Sequence, residues 1–149
     1  MNKVSVLIVE SSKSVIDHLS NKFSDMGLSV ITALDGFEGY VRACNEMPNY
    51  VVAAGVLPSV NGFKLSLLLK NDERYKHIHI SLLTSNNIEA ENNTFLQSGA
   101  DTILQKPFKF SQLLNLHIKD KNHFPYINSS KIEDWNILLN YLQETKEIS

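Results

Sequence analysis

Short β-branched apolar runs alternate with longer stretches whose apolar residues recur at helical spacing. Residues 4–9 are almost continuously apolar, the pattern of a strand covered on both faces. Ser11-Ser12-Lys13-Ser14 supplies cap candidates, and Val15, Ile16, Leu19 and Phe23 then share one helical face until Met26-Gly27 ends it. Residues 28–33 read as a second strand, Asp35-Gly36 as a turn, and residues 39–47 as a second helix closed by Pro48. Residues 50–56 form a third apolar run, followed by a loop with Pro58 and Asn61-Gly62. Phe63, Leu65, Leu67, Leu68 and Leu69 mark a third helix, apolar round much of its surface. A fourth strand over 78–83, a polar helix over 87–97 closed by Gly99, a short strand over 102–104 and a helix over 111–119 complete the pattern.

Strand–helix alternation of this kind predicts an α/β fold, a parallel sheet with helices on both faces and right-handed crossovers. Ligands in such sheets bind at the carboxyl ends of the strands. Chemistry is therefore to be sought at Glu10 and Ser11, Ala54 and Gly55, Thr84 and Ser85, and Gln105 and Lys106. Beyond residue 120 the character changes. Residues 121–130 read as a linker containing Pro125, and Ser130-Lys131-Ile132-Glu133 fits a capping box. Residues 131–149 read as an amphipathic helix, with Ile132, Trp135, Leu138, Leu139 and Leu142 along one face.

Composition narrows the function classes. With 14 basic and 16 acidic residues the net charge is −2, so there is no positive field to draw nucleic acid or anionic lipid. The single cysteine, Cys44, can form neither an internal disulfide nor a zinc cluster, and its helical, apolar surroundings suggest core packing. No apolar run approaches the ~20 residues of a membrane helix, and the start shows no signal-peptide pattern. A cytoplasmic location follows as the expectation. His18, His77, His79, His117 and His123 lack metal-ligand spacing, and no glycine-rich phosphate loop is present.

The ordered set Val6-Leu7-Ile8-Val9-Glu10, Asp35-Gly36-Phe37-Glu38, Pro48-Asn49-Tyr50, Leu57 to Phe63, Leu83-Thr84-Ser85, Ser98-Gly99-Ala100-Asp101 and Lys106-Pro107-Phe108 resembles the receiver domain of bacterial response regulators. The resemblance covers residues 1–120. It implies a doubly wound, flavodoxin-like five-stranded sheet of order 2-1-3-4-5 with five helices, to which residues 131–149 add an extra helix. It also implies a phosphoacceptor site, in which two acidic residues end the first strand and an aspartate ends the third. Together they hold Mg²⁺, and the aspartate attacks the phosphoryl group.

In this chain those positions read Glu10-Ser11 and, four residues before Pro58, Ala54. A methyl group can neither attack phosphorus nor ligate a metal, and Mg²⁺ gives up water reluctantly for a single carboxylate. No metal, no tightly bound Mg²⁺ and no other cofactor are expected, and no enzymatic activity. Lys106 matches the basic residue of the family's pocket, and opposite Glu10 it makes a charge-balanced pair with no demand for a cation. Thr84 matches the switch hydroxyl, but the position of the switch aromatic ring is Ile103.

These features point to a phosphorylation-independent receiver-like module of a two-component-type pathway, acting through a protein partner. The expected partner surface is Ile103, Phe108 and Phe110, joined by Trp135, Leu138 and Leu142 of the C-terminal helix. Homodimerisation is an open possibility for that helix, since an apolar stripe with a tryptophan must be covered. Two alternatives stay open. One is a receiver switched through Ser11 or Ser12, residues whose place beside a helix start suits N-caps. The other is a small-ligand binder using the strand-end crevice beside Ala54 and Gly55.

Overall fold

The apolar runs become parallel strands. The computed structural model describes residues 4–85, 88–113 and 147–148. In it β1 (Ser5–Val9), β2 (Ser29–Ala33), β3 (Tyr50–Ala54), β4 (His79–Thr84) and β5 (Thr102–Gln105) form one sheet of order β2-β1-β3-β4-β5. The intervening helices are α1 (Lys13–Asp25), α2 (Gly36–Glu46), α3 (Gly62–Lys70) and α4 (Ile88–Ser98). This is the doubly wound order that the family resemblance implies. Val6, Leu7, Ile8 and Val9 are fully buried, and their side chains alternate between two cores. Val6 and Ile8 pack with Tyr50, Val52 and the inner face of α1. Leu7 and Val9 pack with Val51, Ala53 and the Leu65 and Leu69 side chains of α3. A strand buried on both faces is thus continuously apolar because each alternate residue meets a helix layer.

Helix starts are set by side-chain caps. Ser12, Asp35 and Asn61 accept from Val15, Glu38 and Lys64 backbone N–H groups at the starts of α1, α2 and α3. Asp35 explains why α2 begins at Gly36 rather than at residue 39. Asp35-Gly36 is the helix start itself, not a turn before it. Likewise β3 ends at Ala54 instead of residue 56. The chain folds back there, with Gly62 N–H donating to Gly55 O at 2.9 Å. A Cβ on Gly62 would lie 2.1 Å from the Ala54 carbonyl oxygen, so only glycine lets α3 start against the end of β3.

After β5 the chain forms a second, two-stranded antiparallel sheet from β6 (Phe108–Lys109) and β7 (Glu147–Ile148). The register sets Phe108 opposite Ile148 and Lys109 opposite Glu147. Ile148 is 3% exposed and joins Phe23, Phe108, Phe110 and Leu113 in the α1-side core. This corrects the expectation of a helix running over 131–149, since Glu147–Ile148 are a strand. Ile148 lies off the predicted stripe, whose next positions after Leu142 are polar. Residues 110–113 are helical and begin the expected fifth helix. The rest of that helix, the 121–130 linker, the 131–146 segment and Trp135, Leu138 and Leu142 lie outside the described residues. No described helix is long and apolar enough to cross a membrane.

Candidate functional site

The carboxyl ends of β1, β3, β4 and β5 bring Glu10, Ala54, Thr84 and Lys106 to one edge of the sheet. Glu10 follows β1 and is held by its N–H donating to Ala33 O at 3.0 Å. Lys106 follows β5 and donates its N–H to Thr84 O at 2.7 Å. With both backbones fixed, Lys106 Nζ reaches Glu10 Oε2 at 2.9 Å. The other carboxylate oxygen, Oε1, accepts from the Ser12 N–H at 3.2 Å. The two side chains are only 4% and 17% exposed, so the charges face each other largely out of water. That pairing is the one anticipated from the two residue types.

Alanine, glycine and two hydroxyl residues complete this edge of the sheet. Ala54 and Gly55 are buried at the end of β3. Gly55 N–H donates to Leu83 O at 2.7 Å. Phe63 closes over this end, since a Cβ on Gly55 would lie 2.8 Å from its ring. Thr84 is 4% exposed at the end of β4. Ser11 is exposed, whereas Ser12 caps α1 through Oγ, which accepts from Val15 N–H at 3.4 Å. Among the described residues no group of three His, Cys, Asp or Glu side chains is placed to hold a metal ion.

The proposed partner positions divide. Ile103 is partly buried, packed against the α2 and α3 side of the core. Phe108 and Phe110 are 1% and 0% exposed, and Phe110 meets the Phe23 ring edge-on at 5.1 Å. Their side chains are core and offer nothing to a partner, which corrects the surface expected from sequence. The reason is β7, whose Ile148 helps to enclose them, and which no periodicity foretold.

Two further polar clusters were not singled out in the sequence. Asp35 Oδ1 accepts from Ser59 Oγ at 3.2 Å, and Ser59 Oγ in turn accepts from Phe37 N–H at 3.3 Å. This links the β2–α2 and β3–α3 loops at the rim of the site. Away from the site, Lys70 Nζ contacts Asp101 Oδ2 at 2.8 Å and Ile78 O at 2.6 Å, while Asp101 also accepts from Ile80 N–H at 2.7 Å. Cys44, read as packing, is half-buried and lies close to the Tyr40 and Tyr75 side chains. Interaction with the Cys44 side chain, and burial with it, holds both phenols above their ordinary pKa.

The comparisons agree with this architecture. The family model for the response regulator receiver domain matches residues 6–117. Protein PilG of Pseudomonas aeruginosa is 27% identical over 109 residues, covering 73% of this chain and 81% of PilG. The DNA-binding dual master transcriptional regulator RpaA of Synechocystis is 30% identical over 109 residues, 73% of this chain but only 45% of that protein. The chain thus spans most of PilG and less than half of RpaA. Among solved structures, the chemotaxis protein CheY4 of Vibrio cholerae superposes with a TM-score of 0.72 at 26% identity, covering 79% of this chain and 98% of its own.

Proposed function

The chain belongs to the response regulator receiver family, and we propose that within it this protein is a receiver-like module that signals by protein–protein contact without aspartyl phosphorylation. Receiver domains in general are signalling domains of two-component systems rather than enzymes. The observation that carries the finer reading is the Glu10–Lys106 contact of 2.9 Å beside a β3 strand that ends on Ala54. Forming an acyl phosphate requires a carboxylate oxygen to attack phosphorus while the donor's leaving group departs. The alanine methyl at the family's acceptor position has no such oxygen.

The residues present also do not fit Mg²⁺. A hard cation of octahedral preference needs several oxygen ligands. Glu10 has one oxygen on Lys106 and the other on the Ser12 N–H, and Ala54 offers no side-chain oxygen. Binding a divalent ion there would require breaking a contact that already neutralises the carboxylate. The Ser12 hydroxyl acts as a helix cap, which supports leaving it out of any phosphoryl transfer. Phe63 against Gly55 likewise argues against a small-ligand crevice at the end of β3. Control then passes to whatever makes the partner available, with docking onto a preformed surface.

Incubation with acetyl phosphate and Mg²⁺, followed by intact-mass measurement, tests this. The account expects no phosphoryl mass increment under conditions that label an aspartate-bearing receiver. A stoichiometric increment, whether on a carboxylate or on Ser11 or Ser12, overturns it.

A further inference from the structure

Only Pro107 separates the ion-paired edge of the main sheet from the second sheet. Lys106 is held on the first side, with its N–H on Thr84 O and its Nζ on Glu10 Oε2. Phe108 is held on the second, 1% exposed and set opposite Ile148 in the β6–β7 register. Lys109 fixes the chain beyond β6, since its N–H donates to Gln112 Oε1 at 2.7 Å. Over residues 106–109 the backbone thus carries both a charged contact to the end of β1 and an apolar seat for β7, with little slack between them. β7 itself has little to hold it. It is two residues long, and its ladder with β6 is no longer. The buried side chain described in it, Ile148, lies in the core with Phe108 and Phe110. A segment held by one side chain and so short a ladder opens locally at far below the cost of global unfolding. It has a docked state and a released state, and release uncovers Phe108.

We propose that β7 is a releasable strap whose docking is coupled to the Glu10–Lys106 ion pair. The route is short. Without the charge on Glu10, the Lys106 ammonium is largely buried with no counterion, and it gains by turning out to water. Its backbone shifts with it, and Phe108, two residues on, is the seat against which Ile148 docks. The pair therefore favours the docked strap, and by linkage the docked strap favours the pair. A charged group of a partner that competes for Glu10 or Lys106 releases the strap and uncovers Phe108. Pocket and strand thus bias one two-state element, the physical requirement for communication between sites. The coupling needs only the ion pair and β7, and it holds whichever way phosphorylation at this edge is read.

Hydrogen–deuterium exchange of the full chain, read by mass spectrometry, tests it. Glu10 follows β1 in the main sheet, so an effect of Glu10→Gln on the C-terminal strand travels through its contact with Lys106. Glu10→Gln is expected to speed exchange in peptides containing residues 108–109 and 147–148 by about tenfold, a coupling of ordinary size. Glu10→Gln/Lys106→Met is expected to restore the parental rates there, because no charge is left unpaired. Leu69→Ala, which weakens the core on the other face of the sheet, controls for lowered global stability and leaves both peptides at the parental rate. Unchanged exchange in Glu10→Gln overturns the proposal. Equal acceleration by Leu69→Ala, or a double variant as fast as the single one, overturns it too.

Discussion

With its side chain 4% exposed, Glu10 cannot rely on bulk water to stabilise a negative charge, and the Lys106 ammonium 2.9 Å away supplies the compensation. Removing one member of such a pair strands the other charge, whereas removing both charges is often close to neutral. Lys106→Met should therefore lower unfolding stability by about 2–4 kcal/mol, and Glu10→Gln/Lys106→Met should recover most of the loss. Urea denaturation of the three proteins measures this, and a single substitution without cost would contradict a structural role for the pair. The partners were legible in the sequence because their positions follow from where β1 and β5 end. The Ser12 N–H on the second carboxylate oxygen was not, since it depends on the chain's path between β1 and α1.

At the scale of elements, one of the two shortest makes the least expected contribution. β7 is two residues long, yet its Ile148 enters a core that also contains Phe108 and Phe110. Truncating a buried isoleucine forfeits both its transfer from water and its packing contacts. Ile148→Ala should cost about 2–4 kcal/mol, read as a fall in melting temperature, and a stability equal to the parent would show that β7 contributes no core. The five parallel strands and four helices could be read in advance because short apolar runs alternate with helical segments bounded by cap, glycine and proline signals. β6 and β7 are too short to have a period, and their pairing joins residues 108 and 148, far apart in the chain. The same long-range contact explains why Phe108 and Phe110 read as surface in the sequence and are core in the fold. Boundaries moved where a cap or a close approach decided them, at Asp35 for α2 and at Gly62 against Ala54 for β3.

For the whole molecule, the receiver architecture is intact, and under the proposed reading its strand ends carry a different set of side chains. The sheet and its crossovers bring Glu10, Ala54, Thr84 and Lys106 to one edge, and two of them form an ion pair. In this account the fold is a rigid presenter of surfaces, with an internally paired pocket at one edge. The central claim, that the strand-end pocket takes neither cation nor phosphoryl group, is tested most directly by amide NMR of the labelled chain. Mg²⁺ is added first, then beryllofluoride, which imitates a phosphoryl group. The account predicts that the resonances of Glu10, Ala54, Thr84 and Lys106 stay where they are throughout both titrations. Saturable shifts of those resonances would contradict it and return the protein to the phosphorylation-switched receivers.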